Sequence, residues 1–60
     1  MTEYKAWTDD EESRLLKRFR EGMEFRQLAS IHGRTKASII ARLVRLGAMH
    51  FDNDTLKASA

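Results

Sequence analysis

The stretch whose reading decides the fold is Gly33-Arg34-Thr35-Lys36-Ala37-Ser38-Ile39-Ile40-Ala41-Arg42-Leu43-Val44-Arg45-Leu46-Gly47. Gly33 suits the left-handed conformation that ends a helix. Thr35 suits the N-cap of the next one, since its hydroxyl accepts from an orphan backbone N–H. Nothing interrupts a helix from Lys36 to Leu46, and Gly47 stops it. Ile39, Leu43 and Leu46 recur at i, i+4 and i+7, one narrow apolar seam. Arg34, Lys36, Arg42 and Arg45 add positive charge, and no acid lies among them. A short basic helix entered through a tight Gly turn is how a helix-turn-helix presents its recognition helix. It is also how a basic surface helix looks in an ordinary three-helix bundle.

Upstream, Thr8 precedes Asp9-Asp10-Glu11-Glu12. Thr8 with Glu11 fits a capping box, and acids in a first turn favour the helix dipole. The first helix is predicted from about Asp9 to Glu21, with Leu15, Leu16 and Phe19 inward and Trp7 folded back onto them. Gly22 ends it. A short second helix follows, from about Glu24 to Ile31 or His32, with Phe25, Leu28 and Ala29 as its core face. His32 is expected half-buried at the helix end in a structural role, with Ile31 partly exposed. About three residues then separate the second and third helices, as a helix-turn-helix requires.

The predicted fold is therefore all-α, a three-helix bundle with a helix-turn-helix. Residues 1–6 read as a flexible arm, 7–47 as the domain, and 48–60 as a mostly disordered polar tail. Within that tail, Ala48, Met49 and Phe51 could pack back on the bundle.

Sixty residues make one domain at most. Such a chain buries only roughly 60% of its unfolded surface, so its core is small. Without Cys there is no disulfide and no thiolate metal site. No apolar run is long enough to span a bilayer, and no signal peptide is visible; the expected location is the cytoplasm, or the nucleoid of a bacterium. Two His, no Cys and no His–carboxylate pair at catalytic spacing argue against an enzyme. No metal, cofactor or small-molecule substrate is expected.

The net charge of +2 hides an uneven distribution. Residues 1–13 carry a net −4, residues 14–45 a net +7, and residues 46–60 a net −1. A basic centre between acidic flanks suits a polyanion, and it also suits a solvated surface.

Trp7-Thr8-Asp9-Asp10-Glu11-Glu12 resembles the W-T-x-E-E start of Myb/SANT-like domains. Trp7, Phe25 and Leu43 match the bulky core residue that such domains place in each helix. Gly33-Arg34-Thr35 followed by Ser38-Ile39 resembles the opening of the Myb third helix. Arg42-Leu43-Val44-Arg45-Leu46-Gly47 is similar to the R-L-x-R-L-G ending of short bacterial and phage modules, including GcrA-type regulators. The resemblance covers residues 7–47. It implies a three-helix helix-turn-helix and double-stranded DNA binding, as in a bacterial or phage transcriptional regulator.

Eukaryotic Myb repeats favour Lys or Asn where this chain has Ile40, Ala41 and Val44. With Ile39, Leu43 and Leu46 inward, the outermost positions are Ala37, Ala41, Val44 and Arg45, with Ile40 beside them. The expected DNA-binding residues are Arg34, Lys36, Ser38, Ile40, Ala41, Arg42, Val44 and Arg45, with backbone contacts from Lys5 and Arg26. So few base readers would leave one unit binding weakly, so a homodimer or an RNA polymerase-associated protein is a natural partner. The other reading is a SANT-like protein-interaction module, such as a small inhibitor or adaptor of RNA polymerase or another regulator. Its patch would be Ile31, Ile40, Ala41 and Val44.

Overall fold

The computed structural model describes residues 6–59, in the order α1 (Asp9–Arg20), α2 (Phe25–His32), α3 (Lys36–Arg45), β1 (Met49–Asp52) and β2 (Thr55–Ala58). Each helix begins and ends by a local device. Thr8 is extended (φ −98°, ψ 162°), and its hydroxyl accepts from the Glu11 N–H at 3.1 Å. Thr35 does the same for Ser38 at 3.1 Å. For α2 the Gln27 side chain reaches back to accept from the Glu24 N–H, also at 3.1 Å.

The three helix ends share one pattern. The N–H after each glycine returns to a carbonyl five residues back: Met23 to Arg18 (3.2 Å), Arg34 to Ala29 (3.0 Å) and Ala48 to Leu43 (2.9 Å). This is the Schellman arrangement, which needs a left-handed residue at the turn. Gly33 supplies it between α2 and α3 at φ 64°. A side chain there would be strained, and the turn into α3 depends on it.

The helices converge on Leu15, Leu28, Ile39 and Leu43, all fully buried, with Ala48 and Met49 completing the core. Trp7, Leu16, Phe19, Met23, Phe25, Ala29, Val44, Leu46 and Leu56 pack around it, partly buried. The Phe19 and Phe25 rings stack with centroids 6.3 Å apart, joining the end of α1 to the start of α2.

The all-α expectation is corrected by β1 and β2. They form an antiparallel hairpin in the register Met49↔Ala58, His50↔Lys57, Phe51↔Leu56, Asp52↔Thr55. The segment expected as a polar tail is thus ordered as a hairpin. Its physical basis is twofold. Asn53 and Asp54 both take positive φ (52° and 66°), the two-residue turn that matches strand twist. Met49 is buried, and Leu56 packs against the core, so the hairpin is rooted. A lone hairpin would be marginal in water. Met49, Phe51, Leu56 and Ala58 share one face, but Phe51 is 64% exposed.

Candidate nucleic-acid interface

The orientation of α3 follows from its two buried residues. Ile39 and Leu43 face the core, so at about 100° per residue the opposite strip is Ala37, Ala41 and Arg45. All three are exposed. Lys36 is exposed at the helix start. Ser38, Ile40, Arg42 and Val44 lie on the flanks and are half-buried. Val44 packs against the core cluster, so it is not one of the outermost residues as the helical wheel suggests.

Lys36 also shares a groove with Arg26. Its walls are the end of α1 (Phe19), the connection to α2 (Gly22, Met23, Glu24), the start of α2 (Phe25, Ala29) and Lys36 itself. Arg26 and Lys36 therefore stand on one side of the domain, at the start of α2 and of α3. Lys5 lies outside the described residues.

Arg34 and Arg42 are placed differently from Lys36 and Arg45. The Arg34 side chain is only 6% exposed. Its guanidinium lies 3.8 Å from the centroid of the Trp7 ring and pairs with the Glu11 carboxylate. It also donates to the carbonyls of His32 and Ala6, each at 3.1 Å. Arg42 donates to Glu12 at 3.3 Å, with its guanidinium 5.4 Å from the same indole. Both cations are thus turned onto α1 and the residues before it. Their electrostatics are those of partly buried pairs, which salt screens much less than exposed ones.

His32 completes this cluster. It is buried rather than half-buried, 5.7 Å from the Trp7 ring centroid. Arg18 Nη1 lies 3.3 Å from its Nε2, and Glu11 Oε2 lies 3.1 Å from its Nδ1. A guanidinium only donates, so Nε2 accepts and Nδ1–H donates to the carboxylate. Every polar atom of the ring has a partner, which fits a structural role. The Glu11 carboxylate holds His32 and Arg34, so it serves tertiary structure as well as the first turn of α1.

The sequence reading missed this cluster of Trp7, Glu11, Glu12, His32, Arg34 and Arg42. Its only advance signal was the coincidence of a lone Trp, adjacent acids and cations far along the chain. It also missed the hairpin, whose end carries exposed Asp52 and Asp54. Asp52 pairs with Lys57 at 3.3 Å, an exposed contact.

Among the described residues, no helix is long and apolar enough to cross a membrane. Comparison with family models, curated proteins and solved structures found no match.

Proposed function

We propose that this chain is a small helix-turn-helix protein that binds double-stranded DNA, with α3 entering the major groove. It would act as a bacterial or phage transcriptional regulator in the cytoplasm, in keeping with the Myb-like motifs of residues 7–47. The observation that carries the reading is the outward strip of α3. Ala37 and Ala41 leave the helix backbone close to its surface, and exposed Lys36 and Arg45 stand at its two ends. A helix so trimmed fits the width of a major groove. The three-residue turn and the exposed Arg26 at the start of α2 support the same docking.

This assignment narrows the set of phosphate ligands. Arg26, Lys36 and Arg45 are the contacts; Arg34 and Arg42 serve the fold. Three phosphate contacts correspond to a slope of about −2.7 in log K against log salt. Affinity so limited favours a partner, either a second copy or an RNA polymerase-associated protein. The test is an amide-shift titration with a duplex at two salt concentrations. Shifts should concentrate in residues 36–45 and the start of α2, and weaken with salt. No shift in α3 at low salt would remove the reading.

A protein-interaction module is favoured by the two exposed large apolar side chains, Phe51 on the hairpin and Ile31 near the end of α2. Its anchors would then be Phe51 and Ile31 rather than Ile40 and Val44, which are half-buried. Sedimentation of Phe51→Ser beside the wild type tests the hairpin anchor.

A further inference from the structure

We infer that the groove beside α2 receives the hairpin of a second copy of this chain, with Phe51 as the inserted side chain; the inference concerns self-association and stands whether or not α3 binds DNA. The two surfaces belong to one chain but do not meet within it. The groove has a volume of about 750 Å³, which leaves room for an aromatic ring and its neighbours. Its floor is Phe19, Met23, Phe25 and Ala29, each half-buried, so apolar surface stays open to water. No residue of β1 or β2 lines it, so the hairpin of the same chain does not close it. Phe51 is the complement. At 64% exposure it is the most exposed large apolar side chain among the described residues. It pairs across the hairpin with Leu56, one pair before the turn, and so stands near the hairpin end.

Charge selects this pairing over the others. Arg26 and Lys36 flank the groove, and neither has an ion pair among the described residues. Glu24 is the one acid in the lining, so two cations less one acid leave a net +1. At the hairpin end Lys57 offsets Asp52, while Asp54 is exposed without an ion pair, so one cation less two acids leaves a net −1. An exposed aromatic ring beside an unpaired acid thus matches an apolar floor beside unpaired cations. Groove against groove, or hairpin end against hairpin end, would set like charges together at a cost. The contact joins two different patches and is heterologous. One copy gives its hairpin and the other its groove. The receiving copy has Arg26 and Lys36 covered, and the giving copy keeps its own for DNA. A contact led by one aromatic side chain is smaller than a permanent interface, so the association is weak and depends on concentration.

The experiment uses sedimentation without DNA, on the wild type and on two variants that each disable one surface. Phe51→Ser removes the inserted ring, and the double variant Arg26→Glu with Lys36→Glu reverses the cations of the groove. All of these positions are exposed, and circular dichroism checks that each protein keeps its fold. The average mass of the wild type should rise with concentration. Phe51→Ser should weaken the association by at least about tenfold, the value of burying a phenylalanine side chain, and the double variant should weaken it too. Mixing the two variants is the decisive arm, because one still has a groove and the other still has a hairpin. The mixture should form a one-to-one complex that neither variant forms alone. Amide shifts should then fall on residues 22–29 of labelled Phe51→Ser, and on residues 50–56 when the double variant carries the label. A wild type that stays monomeric at its highest soluble concentration would overturn the inference and leave the groove to a foreign partner. A mixture that forms no complex would overturn it as well, since pairing between two hairpins predicts that result. Neither failure touches DNA binding, which the duplex titration decides separately.

Discussion

Replacing Arg34 with Ala should destabilise the domain markedly, whatever it does to DNA binding. The guanidinium stacks 3.8 Å from the Trp7 centroid, in a setting that is nearly closed to solvent. Such a cation–π contact contributes about 1–2 kcal/mol. Two charge-assisted bonds to the carbonyls of His32 and Ala6 are lost as well. Hydrogen bonds to charged groups contribute about 1.5–3 kcal/mol each, although water can reach the exposed Ala6 carbonyl and replace one of them. Glu11 keeps His32 as a partner, so the penalty of leaving a lone buried carboxylate is softened. These terms are not additive, and a loss of about 2–4 kcal/mol is the expected outcome. A chain of this length has roughly 3–9 kcal/mol in total. The melting temperature should fall by more than about 10 °C. The assay is thermal and urea unfolding, followed by far-ultraviolet circular dichroism and by Trp7 fluorescence. Lys36→Ala is the control, since Lys36 is exposed and should leave the melting temperature unchanged. An Arg34→Ala protein that melts like the wild type yet loses DNA binding would refute the reasoning. It would make Arg34 a phosphate or base ligand after all.

Three further outcomes follow from the packing. Val44→Asp should destabilise by about 1–3 kcal/mol, because a carboxylate would replace a side chain packed against the core; urea titration reads this directly. Asp54→Gly should stabilise the hairpin by about 0.5–1 kcal/mol, since φ 66° suits glycine better, and the gain should appear as a higher urea midpoint with stronger β-type shifts in residues 49–58. Thr8→Ala should cost roughly 1 kcal/mol by removing the cap on Glu11, seen as fraying of the first turn in amide exchange.

What could be read from the sequence was whatever is decided locally. Thr8 and Thr35 cap, and Gly22, Gly33 and Gly47 terminate, through bonds that span three to five residues. Leu15, Leu28, Ile39 and Leu43 followed from helical period alone. The roles of Arg34 and Arg42 could not be read in the same way. Their partners lie 23 and 30 positions away, on α1, and only tertiary packing brings them together. Counting charges along α3 therefore overstated its cationic surface. The hairpin was hidden for another reason. Each strand has four residues, too few for a period-two pattern to stand out. Its turn is Asn-Asp rather than the stronger Asn-Gly signal. Val44 was misjudged because a helical wheel knows one seam, whereas α3 also meets the hairpin side of the core.

The cluster around Trp7 bears on time as well as on energy. Its ion pairs close a loop that holds most of the helical chain, from Glu11 to Arg34 and from Glu12 to Arg42. Contacts across so long a loop form after local ones, because loop closure must precede them. The turns at Gly22, Gly33 and Gly47 belong to the early events. Interactions that form late act mainly on the rate of unfolding. Stopped-flow traces of Arg34→Ala should accordingly show a refolding limb close to that of the wild type and an unfolding limb displaced upward. A displaced refolding limb instead would put the cluster in the folding nucleus. With a fast unfolding limb, a small protein is opened often and cut often by proteases. The indole–guanidinium stack is thus a determinant of how long each molecule persists.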